Sequence, residues 1–177
     1  MNNDALVAAL GMDAVAAVDG YRRAVVAEAE RQGIRLVSGA LSAIVRDCGQ
    51  AHIIDPIDIR LGFGHRPGRP ELAGRELRWG PAHGWWISHR TAGGPLAHYA
   101  GPGAAPLLLV PTAPEVVLWA TEEIDGPVAP PIAIELDDDP RAVRRLLAFI
   151  RAASHWHSGE AFSPDPLAHR TRWRWTG

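Results

Sequence analysis

Eight histidines, one cysteine and a run of three aspartates bound the chemistry this chain can attempt. His155 and His157 stand two apart, a spacing that brings both to one side only of an extended segment. His52 with Asp55, and His83 with His89, are further pairs, but a metal centre needs three or four converging ligands and no HExxH-type set occurs. No metal site is expected. Cys48 is alone, which excludes an intramolecular disulfide, and a lone cysteine is more often a small buried hydrophobe than a nucleophile. There is no G-x-S-x-G, and Ser88 and His89, adjacent in a strand, point to opposite faces. The absence of lysine removes the P-loop lysine and the Schiff base. Asp137-Asp138-Asp139 is explained better by helix capping than by cation binding. No catalytic set and no cofactor are expected.

Binding chemistry has better candidates. Gly62-Phe63-Gly64-His65-Arg66-Pro67-Gly68 follows a strand in the manner of a dinucleotide loop, yet its third glycine is one residue late and Pro67 interrupts it. It reads as a long hairpin loop in which Arg66 and Arg69 are candidates for anion binding. Trp86 alternates away from the core positions beside it and, with the turn residue His83, is the candidate for a ligand or partner surface. At the C-terminus, His169-Arg170-Thr171-Arg172-Trp173-Arg174-Trp175 alternates cations with indoles. Arg170, Arg172 and Arg174 suit phosphate, and Trp173 and Trp175 suit base stacking or a membrane interface. The same pattern also fits a terminal strand docking its tryptophans on its own chain or on a second copy.

The elements that must position these residues are legible from periodicity. Ile57, Ile59, Leu61 and Phe63 alternate with Asp58, Arg60 and Gly62; Leu77 and Trp79 alternate with Glu76 and Arg78; Gly80 to Gly84 turns the chain into Trp85-Trp86-Ile87-Ser88. This is an antiparallel meander with one buried face. Val15, Val18, Tyr21, Val25 and Ala29 mark a helix from about 13 to 32, which Gly33 ends. Residues 34–56 hold Ile34–Val37 and Ala51–Ile54 as possible strands, with Leu41, Ile44 and Val45 suiting helix or strand. Residues 91–105 read as a glycine- and proline-rich loop, and Leu107–Val110 as a short buried strand. Thr112-Ala113-Pro114-Glu115 has the form of a capping box for a helix to about 124. Gly126 to Pro131 is a connector, Ile132, Ile134 and Leu136 alternate as a strand, and Asp139 is the expected N-cap of a helix over 140–153, with Arg141, Arg144, Arg145 and Arg151 largely off its apolar stripe.

The order of these elements, with Tyr21-Arg22-Arg23-Ala24-Val25, Ile57 to Leu61, Pro67 and Pro70, Arg75 to Trp79, Gly84-Trp85 and Pro111 to Val117, resembles the actinobacterial domain-of-unknown-function family 6292 over roughly residues 14–125. The chain departs from that pattern in a longer segment at 34–56 and in everything from about 127 onward. The resemblance implies an actinobacterial origin and no activity.

With 177 residues and 21% charged content, the chain suits one ordinary globular domain. The expected division is a lead-in or one extra helical turn over 1–12, a single domain over 13–153, and a basic aromatic extension over 154–177. Residues 1–140 hold 11 Arg against 18 Asp and Glu, and the remainder holds 7 Arg against 2 acids. Such asymmetry fits a basic tail that meets an acidic partner or folds onto its own acidic body. No run reaches the ~20 apolar residues of a membrane span, and the N-terminus lacks a secretory signal. The lone cysteine suits the cytoplasm. The expected fold class is therefore α+β, an antiparallel meander sheet covered on one face by about three helices. The expected role is a non-enzymatic binding or regulatory module acting through protein contacts or as a homo-oligomer. Nucleic-acid association through the C-terminal arginines and tryptophans is the alternative, and a small-ligand binder or enzyme beside Trp86 is the third.

Overall fold

The computed structural model describes residues 3–47, 52–54, 57–64, 72–89, 95–99, 108–122, 139, 141–156 and 172–176. Four helices are present: α1 (Asn3–Leu10), α2 (Asp13–Arg31), α3 (Ala113–Glu122) and α4 (Ala142–Trp156). The strands are β1 (Leu36–Asp47), β2 (His52–Ile54), β3 (Asp58–Phe63), β4 (Arg75–Gly80), β5 (Gly84–His89), β6 (Pro95–His98) and β7 (Arg172–Thr176). They form one sheet in the order β2-β1-β3-β4-β5-β6, antiparallel throughout, to which β7 adds by pairing with β1 in parallel. The α+β architecture and the 57–89 meander are as the sequence predicts.

Alternation decides the two faces of the sheet. Leu41, Ile59, Leu61, Phe63, Leu77, Trp79, Trp85, Ile87 and Ala97 are buried and join the helices in one apolar core. Helix α2 is the central covering element, in contact with α1, α3, α4 and β1. Its predicted stripe is buried, and it ends in a complete Schellman motif: Gly33 takes φ +71°, its N–H donates to Glu30 O at 2.9 Å, and Ile34 N–H donates to Ala29 O at 2.8 Å. The β4–β5 hairpin has three loop residues, a turn closed by His83 N–H to Gly80 O at 3.2 Å, and Gly84 at φ +64°.

Several expectations are revised. Residues 3–10 form a helix whose Leu6 is fully buried, in place of a lead-in or one extra turn. The ambiguous 34–56 stretch contains one twelve-residue strand, β1, with β2 following it. Residues 95–98, read as loop, form β6. Among the described residues β6 pairs only with β5, and Pro95 at its start forfeits no interior ladder bond. Leu109 and Val110 are buried as expected but lie in a bend, not a strand. Their backbone is served by side chains instead. Trp79 Nε1 donates to Leu109 O (2.7 Å), Arg145 Nη1 to Val110 O (3.0 Å), Tyr21 Oη to Pro111 O (2.6 Å), and Leu109 N–H donates to Asp139 Oδ2 (3.1 Å). With four backbone groups satisfied this way, the segment has no need of a sheet partner.

Asp139 is accordingly more than a cap. Its carbonyl accepts from Ala142 N–H at 2.9 Å, while its buried carboxylate holds Leu109 and pairs with Arg145 Nη1 at 3.2 Å. The other capping signal holds in part: Glu115 Oε2 accepts from both the amide and the hydroxyl of Thr112, each at 2.7 Å. The expected strand at Ile132–Leu136 and the connector before it lie outside the described residues.

Candidate functional site

The face of the sheet away from the helix-packed core carries the polar residues of the meander, and strand register sets them in a row. Arg60 on β3 is the cross-strand partner of Arg78 on β4, Arg78 of Trp86 on β5, and Trp86 of His98 on β6. Neighbouring strands lie about 4.8 Å apart, so side chains at one register stack against one another. The Arg78 guanidinium carbon sits 5.3 Å from the Trp86 ring centroid, and the His98 ring lies nearly parallel to the indole at 6.0 Å and 17°. Because β4 and β6 flank β5, the two contacts approach the indole from opposite sides. His83, from the hairpin turn, meets Trp86 edge-on at 6.4 Å and 85°.

The two arginines do not stand alone. Asp58 on β3 accepts from Arg60 and, at 3.3 Å, from Arg78 Nη2, and Glu76 lies 3.9 Å from Arg78 Nε. Two cations and two carboxylates leave this row formally neutral. His98 is held below the ordinary imidazole range, first by burial and then by His83, whose ring is 6.4 Å away. The patch therefore combines charge balance with a half-buried indole.

The sequence candidates divide. Trp86 and His83 are in ring contact, Trp86 half-buried on the outer face while Trp79 and Trp85 are fully buried. Arg172, Trp173, Arg174 and Trp175 lie on β7, whose pairing partner β1 is separated from β5 by β3 and β4. They are thus not brought to the Trp86 row. Their register positions, Trp173 with Ala43 and Trp175 with Val45, are in phase with the core residue Leu41. Arg66, Arg69 and Arg170 lie outside the described residues, as does Cys48. His155 stands in α4, so the extended spacing that would pair it with His157 does not apply. Among the described residues no group of three or more His, Cys, Asp or Glu is placed to hold a metal ion, and no helix is long and apolar enough to cross a membrane.

Sequence reasoning missed Arg78 and His98 as members of the site. Arg78 was readable only as an outward-facing strand residue, and His98 sat in a stretch whose glycines and prolines spoke for loop. Comparison with protein-family models, with curated proteins and with solved structures returns no match.

Proposed function

We propose that this chain is a non-enzymatic, cytoplasmic binding module that engages protein partners through the outer sheet face around Trp86. The observation that carries the reading is the Arg78–Trp86–His98 ladder. Tryptophan and arginine are the residues that most often dominate binding energy at protein interfaces, and the ladder holds the indole in a defined pose before any partner arrives. Arg78 and His98 already pack against the indole, which disfavours stacking of a base or planar ligand. Charge balance with Asp58 and Glu76 likewise disfavours a phosphate backbone. The resemblance to family 6292 belongs with this proposal and adds no activity to it.

The competing outcome is nucleic-acid association, for which exposed Arg141, just before α4, exposed Arg144 on α4 and the arginines of β7 are the motive. Affinity capture from a cell lysate separates the two. Wild-type chain, Arg78→Ala/Trp86→Ala and a truncation after Pro166 are used in parallel, with and without nuclease. The protein-contact reading predicts captured proteins that persist after nuclease and are lost with the double variant. Capture abolished by nuclease or by the truncation alone would overturn it.

A further inference from the structure

We infer that the Trp86 face takes an uncharged hydrogen-bond acceptor from its partner, of the kind the backbone carbonyls of an extended peptide segment present. The inference rests on the protein-contact reading above and specifies the chemistry of the contact. Three buried side-chain atoms on this face have no hydrogen-bond partner among the described residues: Arg78 Nε, 3.9 Å from the Glu76 carboxylate, Ser88 Oγ and His98 Nε2. Arg78 and His98 flank Trp86 at its own register, and Ser88 lies two residues further along β5, on the same face by alternation. Ser88 is almost wholly buried. A guanidinium N–H and a hydroxyl are donors, and the imidazole Nε2 is one in the tautomer that carries its proton there. Buried donors left without acceptors are unfavourable, and three on one face gather that cost where a single incoming segment can relieve it.

The acceptor is uncharged because of what surrounds it. Arg60 and Arg78 are compensated by Asp58 and Glu76, so a carboxylate or phosphate would be desolvated beside two existing carboxylates without a free cation in the row to offset it. A peptide carbonyl carries no such penalty. The three atoms are closed to solvent, so an acceptor reaches them only where the side chains beside the indole give way, and Trp86, in contact with Arg78 and His98, reports it.

The test titrates the full chain, 15N-labelled at histidine and tryptophan, with N-methylacetamide, sodium acetate and inorganic phosphate separately. The His98 ring and Trp86 indole resonances are identified with His98→Gln and Trp86→Phe. The expected result is a saturable shift of both resonances with N-methylacetamide, weakened about fivefold by Ser88→Ala, the worth of one hydrogen bond. Saturation by acetate or phosphate instead, an N-methylacetamide response indifferent to Ser88→Ala, or no saturable response at all, as when water alone serves the three atoms, overturns the inference. Trp86-dependent capture of protein that survives any of these results leaves the protein-contact reading standing, and its loss overturns that reading separately.

Discussion

Trp85 and Tyr21 meet in the centre of the core, the indole Nε1 donating to the phenol Oη at 2.8 Å while that same hydroxyl donates onward to Pro111 O at 2.6 Å. The phenol therefore joins three layers at one atom: the sheet through β5, the covering helix α2, and the irregular Leu108–Thr112 strap. Trp79 and Phe149 complete its surroundings, with ring centroids 6.3 and 5.3 Å from that of Tyr21. Burial pushes the phenol far above its ordinary range, so it remains a neutral donor at any pH the fold withstands.

Tyr21→Phe removes both bonds without opening a large cavity. It leaves Pro111 O and Trp85 Nε1 unpartnered in the core, and a loss of about 2–4 kcal/mol is expected. Urea unfolding followed by tryptophan fluorescence measures it.

Asp19 and Arg22 form a buried pair on α2, Nε to Oδ1 at 2.9 Å, with Arg23 closing on the other carboxylate oxygen at 2.6 Å. Asp19→Asn strips the counter-ion from the buried guanidinium and is expected to destabilise by about 3 kcal/mol. Asp19→Ala/Arg22→Met removes both buried charges and should recover much of that loss, which a double-mutant cycle in urea would read.

Gly20 sits where α2 meets α4, and a methyl group there would come within 2.9 Å of Phe149 Cβ and 3.1 Å of its carbonyl oxygen. Neither atom is the end of a flexible side chain. Helix propensity favours alanine over glycine by roughly 1 kcal/mol, but overpacking costs about 1–3 kcal/mol. Gly20→Ala should therefore lower the melting temperature, whereas an alanine at a solvent-facing glycine of a helix would raise it.

His98 gives the Trp86 face a pH dependence of definite sign. Its pKa in the folded chain lies below the ordinary 6.5, so the unfolded chain binds the proton more readily. The stability this neutral imidazole contributes is fully present above 6.5 and is lost as pH falls through the folded value. Urea midpoints measured from pH 7.5 down to 5 should fall more steeply for wild type than for His98→Gln. Parallel curves would contradict the assignment.

Much of this fold was legible because its main elements obey simple periods. The meander's alternation separates Trp79 and Trp85 from Trp86, and Gly33 marks the end of α2 as its left-handed φ requires. What escaped reading was set by contacts distant in sequence. The Leu108–Thr112 strap looks like a strand because burial selects the same residue types, while its bonding comes from Tyr21, Trp79, Asp139 and Arg145. The site was half legible for the same reason. Alternation pointed Trp86 outward, but its two neighbours are fixed by strand register, and β6 carried no periodic signal to reveal His98.

The outer sheet face is the proposed seat of a partner. A photo-crosslinking residue placed at Arg60, exposed beside the Arg78–Trp86 row, is compared with the same residue at Arg23, exposed on α2. After irradiation in cell extract, protein adducts are expected from position 60 that diminish with Trp86→Ala, and none above background from position 23. Adducts from position 23 alone, or from position 60 to nucleic acid alone, would contradict it.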